Sequence, residues 1–177
     1  MGKIKPFIPV KLIFGIISGF PQLIEKIEEP LVQRYGPIDY RSPIIPFTFT
    51  DYYTTQMGKN LLRRFISFQQ LIEPDLLPEI KVHSNQLEEE YALRSSQVKR
   101  PINLDPGYLT ATSLILASTK NYAHRVPLQK GIYAELEYIF KKREAQSLPW
   151  TYPDYRTEEY QKIFLEVRRI YLSQIKK

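Results

Sequence analysis

The sequence predicts an α+β fold: a ferredoxin-like βαββαβ core with an extra β-strand and a C-terminal α-helix. The sheet is expected to be mostly antiparallel and covered by helices on one face. Apolar and β-rich runs alternate with stretches of helical periodicity in the order β-α-β-β-α-β-β-α. Apolar content of 43% with 25% charged residues fits a packed domain rather than a disordered chain. No repeat or long linker divides the 177 residues, so residues 1–177 read as a single domain, long enough to bury roughly 70% of its unfolded surface.

Each element has its own reason. Residues 10–18 (VKLIFGIIS) form a short apolar run rich in Ile and bounded by Pro9 and Gly19, the pattern of a central strand covered on both sides. Leu23, Ile24, Ile27, Leu31 and Tyr35 then recur at helical spacing, with Pro21 in the first turn and Pro30 set to kink or shorten the helix. Ile45, Phe47 and Phe49 alternate with polar residues and with Pro46, which suits an edge strand. Asp51–Asn60 serves as a turn before a strand over 61–71. Residues 75–92 read as a helix with Leu77, Ile80, Leu87 and Tyr91 inward. Runs over 108–119 and 131–140 form a long hairpin around the Lys120–Arg125 loop. The last helix repeats Tyr160, Ile163, Phe164, Val167, Ile170 and Tyr171 at three and four, with Glu158 and Glu159 opening it and Lys176 and Lys177 closing it.

The composition excludes several chemistries. There is no Cys, hence no disulfide framework, thiolate metal site or cysteine nucleophile. Two His without a supporting constellation make no metal site, and no cofactor is expected. Standard phosphate-loop, dinucleotide and nucleophile-elbow signatures are missing from the sequence. Ile8–Phe20 is shorter than the roughly 20 residues of a membrane span and lacks a small-residue cleavage site, so the expectation is a cytoplasmic protein without a membrane partner. The chain is basic, with 25 Lys+Arg against 19 Asp+Glu. Five of the basic residues fall in residues 162–177, where a helix C-terminus favours cations, and this weakens the charge as a sign of nucleic-acid binding.

The expected topology sorts the polar loops into two groups. Asp51–Asn60 and Lys120–Arg125 are placed at one end of the sheet. Ser18–Gly19, Asn103–Gly107 and Trp150–Arg156 are placed at the other. At the first end, His124 would be an acid or base oriented by Asp51, Arg125 and Lys120 would bind an anion, and Tyr52 and Tyr53 would line a cleft or stack on a ring. At the second, Asp105 would be a rigid carboxylate, with Tyr108, Tyr155 and Arg156 contributing to a pocket. Asp105-Pro106-Gly107 also has turn chemistry of its own, and Asp154 or Thr157 could cap the last helix.

The motifs FTFTDYYTTQMG (47–58), RRFISFQQLI (63–72), NLDPGYL (103–109), LASTKNYAHRVPL (116–128), GIYAELEY (131–138) and WTYPDYR (150–156) together resemble a bacterial and archaeal family of proteins of unknown function, numbered 4416. The chain departs from it at Gln56, where the resemblance implies an acidic residue. The resemblance brings no activity with it. Two function classes follow from the residues: an enzyme or binder for a small phosphate- or carboxylate-bearing ligand, or a non-catalytic RNA- or protein-binding module.

Overall fold

The computed structural model describes residues 2–50 and 52–176. Asp51 and Lys177 lie outside the described residues. The elements are β1 (Val10–Ser18), α1 (Pro21–Lys26), α2 (Glu28–Tyr35), β2 (Ile38–Arg41), β3 (Ile45–Pro46), α3 (Thr54–Met57), β4 (Leu62–Ile72), α4 (Leu77–Leu93), β5 (Asn103–Leu109), β6 (Ser113–Ser118), β7 (Arg125–Pro127), β8 (Tyr133–Lys141), β9 (Glu144–Ser147) and α5 (Glu158–Ile175). The fold is α+β.

All nine strands join one sheet in the order β2-β4-β1-β5-β6-β8-β7, with β3 also on β4 and β9 also on β8. Every pairing is antiparallel. This departs from the ferredoxin-like expectation, in which the strand over 61–71 runs parallel to the first. Here β4 and β5 flank β1 and both oppose it. The starts of β4 and β5 therefore lie beside the end of β1.

Both faces of the central strands are covered, which corrects the one-sided expectation. Leu12, Phe14, Ile16, Ile66 and Phe68 pack with Ile24, Leu31, Ile80 and Leu87 of α1, α2 and α4 and with Ile27 at the α1–α2 junction. Ile13, Phe65, Leu109 and Leu114 pack with Tyr160, Ile163, Phe164 and Val167 of α5. A strand with apolar residues pointing to both faces needs two coats, and β1 is buried along its whole length. Thr157 caps α5, its hydroxyl accepting from the Tyr160 N–H at 3.4 Å.

The longest departure from expectation lies between residues 103 and 119. The segment 108–119 is a tight hairpin rather than one strand, and Asn103–Gly107 is strand rather than turn. The turn is made by Thr110, whose hydroxyl accepts from the N–H groups of Thr112 and Ser113 at 3.1 and 2.9 Å. A β-branched residue performs the turn without Gly or Pro, so the pattern reads as continuous strand. Similarly, Ile45–Phe49 contributes only the two residues of β3, and α3 occupies part of the Asp51–Asn60 connection. The first predicted helix divides at Ile27, leaving Pro30 in the first turn of α2, where its missing N–H costs nothing.

Gly107 permits a close approach of β5 to β6. A Cβ there would sit 2.4 Å from the Ile115 carbonyl oxygen and 2.6 Å from Leu116 Cδ2. Gly107→Ala should lower stability by about 1–3 kcal/mol, as overpacking does in a tight core. Chemical denaturation measures this, and an unchanged midpoint would contradict the close approach.

Candidate functional site

β5 and β6 pair only through Gly107, Tyr108 and Leu109. Before Gly107 the β5 edge is free of β6, and α4 takes its place. Glu88 Oε1 accepts the Leu104 N–H at 2.7 Å, and Lys81 Nζ donates to the Leu104 carbonyl at 2.8 Å. Pro106, two residues further on, has no N–H to satisfy, which suits an edge that β6 does not reach. A cleft of about 530 Å³ opens where the two strands part. Asn103 and Asp105 of β5 line it, as do Leu116–Ser118 of β6 and Lys81 and Asn85 of α4. The β3–β4 connection and the strap before α5 close the remaining sides through Phe49, Tyr52, Tyr53, Tyr152 and Asp154.

Arg63 forms the inner wall. Only 3% exposed, it donates from Nη1 to Asp154 Oδ2 at 2.9 Å and from Nη2 to Asp105 Oδ2 at 3.5 Å. Its guanidinium carbon lies 4.8 Å from the Phe47 ring centroid, 5.3 Å from Phe65 and 5.6 Å from Tyr155. Burial pushes the Asp154 carboxyl above its ordinary value, and the Arg63 charge opposes that shift. Asp105 also receives Asn103 Nδ2 at 2.7 Å and has Lys81 Nζ 3.8 Å from Oδ1. Arg100, beside it, is held by Glu88 at 2.6 Å.

The far wall is a second charged cluster. Glu135 accepts from Arg125 Nε at 2.8 Å and faces His124 Nε2 at 2.7 Å. Arg125 donates further to the Tyr152 hydroxyl at 2.6 Å and the Lys120 carbonyl at 3.0 Å, so its donors are used inside the protein. The His124 ring stacks on Trp150 at 5.3 Å. Glu137, fully buried, receives the Tyr152 N–H at 3.3 Å on one oxygen, while the other has no partner among the described residues. Burial, aided by the nearby Glu135 charge, pushes its pKa up to about 8.

The two groups of loops expected at opposite ends of the sheet thus meet in one place. Asp105, Lys120, Tyr52, Tyr53 and Tyr155 all line the cleft. Two departures explain this: the antiparallel β4 brings residue 63 beside the Ser18 end of β1 and beside Asn103, and the turn at Thr110 sends β6, with Lys120 after it, back to that same end. His124 and Arg125 stand behind the cleft wall, joined to it through Glu135. The Asp51 half of the expected His124 pair is outside the described residues; Glu135 partners His124. Tyr108 points away, packing with Leu77 and Ile132. Arg156 braces the strap by donating to the Thr151 and Pro149 carbonyls, each at 2.8 Å. Gln56 is exposed and does not line the cleft. Among the described residues, no three His, Asp or Glu side chains gather as a metal site, and no helix is long and apolar enough to cross a membrane.

Four important groups escaped sequence reasoning. Arg63, next to Arg64, reads by residue type alone as solvated charge, although it shares a strand face with the buried Phe65. Lys81 and Glu88 lie with Leu77 and Ser84 on the buried stripe of α4, and that interruption of an apolar stripe was a legible sign. Glu137 follows Glu135 at the two-residue spacing of one strand face.

A family model described as domain of unknown function (DUF4416) matches residues 8–171. The chain belongs to the DUF4416 family. Neither the curated proteins nor the solved structures yield a match to it. The matched region of this DUF4416 chain includes every cleft residue named above.

Arg63→Ala would leave Asp154 buried without its cation and should destabilise the protein by about 3–5 kcal/mol, measured by denaturation. An undiminished stability would show that the pair is not a buried charge contact. Glu137 gives a pH test. Its native pKa lies above the unfolded value, so the unfolded state ionises first and wild-type stability from this residue is lost as pH rises from about 4.5 towards 8. Glu137→Gln removes that loss. The melting temperature of the variant should gain on wild type between pH 5 and 8 and hold a constant lead above it. A pH-independent difference would refute the shift.

Proposed function

We propose that this DUF4416 protein binds a small anionic ligand, bearing phosphate or carboxylate, in the cleft where β5 and β6 part. One observation carries the reading: Arg63, Lys81, Arg100 and Lys120 converge on that cleft from β4, α4, the segment before β5 and the loop after β6. Their surroundings divide the labour. Arg63 is matched by Asp154 and Asp105, and Arg100 by Glu88. Lys120 is exposed at the mouth, and its Nζ meets only the Tyr52 hydroxyl, at 3.1 Å, among the described residues. It is the group that meets the anion, while the inner cations hold the wall. The same contact lowers the Tyr52 pKa, through the hydrogen bond and charge of Lys120.

Within this reading Asp105, not His124, is the acid–base group that the ligand meets, because His124 is turned into Glu135 and Trp150. The volume lies within the ~300–1,000 Å³ typical of small-molecule sites. An RNA-binding module on this scaffold would need an open sheet face, and the central strands are covered on both.

Lys120→Ala should weaken binding of phosphate- or carboxylate-bearing compounds about tenfold, the scale of one charge-assisted hydrogen bond, without lowering the melting temperature. Calorimetric titration of a panel of sugar phosphates, nucleotides and polycarboxylates reads this out. Equal affinities in wild type and variant would overturn the proposal.

A further inference from the structure

We infer that the ligand of this cleft is a mononucleotide-class compound, a planar heteroaromatic ring joined through a sugar to phosphate. This rests on the anion-binding reading and narrows it. Three aromatic rings stand exposed on the cleft rim: Phe49 at 41%, Tyr52 at 61% and Tyr152 at 39%. Each is backed by a more buried ring. Phe49 packs on Phe47 at 6.1 Å, Tyr52 on Tyr53 at 5.1 Å, and Tyr152 on Tyr155 at 6.3 Å. Rings fixed from behind and partly exposed on a cleft rim are suited to stacking on a planar ligand, whatever its base identity.

The polar groups inside supply the complement. Asp105, whose side chain is 26% exposed, uses Oδ2 for Asn103 and Arg63, while Oδ1 has Lys81 Nζ 3.8 Å away and accepts no hydrogen bond from the described residues. That oxygen can take an amino, ring N–H or sugar hydroxyl donor. Deeper in, the hydroxyl of Tyr155 and Nε of Arg63 are buried, belong to cleft-lining residues and have no partner among the described residues. Lys120 Nζ lies 4.3 Å from the Tyr52 ring centroid, so a cation for phosphate and a ring for stacking are adjacent. A sugar phosphate alone would leave the rim rings uncovered. A polycarboxylate would set its second charge against Asp105.

The test is calorimetric titration of the full chain with the four common ribonucleoside 5′-monophosphates, ribose 5-phosphate and citrate. Wild type, Tyr52→Ala, Phe49→Ala and Lys120→Ala are compared. At least one nucleotide should bind about tenfold or more tightly than ribose 5-phosphate, the scale of one base stacked on one ring. Tyr52→Ala or Phe49→Ala should erase that advantage, and Phe49→Ala, which touches no anion-binding group, should leave ribose 5-phosphate binding unchanged. Both residues are exposed, and melting curves verify that the variants fold. A nucleotide preference that survives both ring substitutions overturns the inference. If ribose 5-phosphate or citrate binds as tightly as every nucleotide and Lys120→Ala weakens it, the ring inference fails and the anion reading stands. If no anion binds the wild type, both fail.

Discussion

Arg63 holds its guanidinium among aromatic rings, and the two carboxylates that neutralise it come from β5 and from the strap before α5. A charge this deeply buried survives only with partners in place, because removing either one strands the other in a medium that cannot solvate it. The β4 start, the β5 start and the α5 entry are therefore fixed relative to one another by one requirement. The cleft is what those three pieces enclose. Its inner wall is rigid for the same reason that it is charged.

The remaining walls repeat this economy. Lys81 and Glu88 leave α4 to satisfy the backbone of Leu104, which the parting of β5 from β6 would otherwise expose as an unpaired edge. Arg125 and Glu135 bind the β7–β8 pair to Tyr152 of the strap. A gap in a sheet normally exposes backbone that another strand must cover. Side chains from a helix close this one instead, and so leave room for a small molecule.

Much of this organisation was legible in the sequence. The central strand, the two long helices and the polar segments around Asp105, Lys120 and Tyr52 were each visible from apolar periodicity or turn punctuation. What failed was direction and depth. Local patterns say that residues 61–71 form a strand, but not which way it runs beside β1; the parallel assumption, together with reading 108–119 as one strand, split one site into two. The Thr110 turn was hidden because its signal is a side-chain hydroxyl rather than Gly or Pro. Arg63, Lys81 and Glu137 were missed because charge reads as solvent-facing until the partner is known, and their partners lie far away in the chain. Of the two candidate caps for α5, Asp154 and Thr157, it is Thr157 that caps, and Asp154 is taken by Arg63.

The two rims of the sheet have a property in common. On the outer side of β4 the four residues of β2 and the two of β3 share the edge, and on the outer side of β8 the three of β7 and the four of β9 do. Pro46 and Pro127 sit in two of these pieces. A long, flat rim is a template on which another chain can add its own strand, whereas short, interrupted and proline-bearing rims are not. A nine-stranded antiparallel sheet would otherwise be prone to aggregate edge to edge. Here its growth is stopped by its own outermost segments.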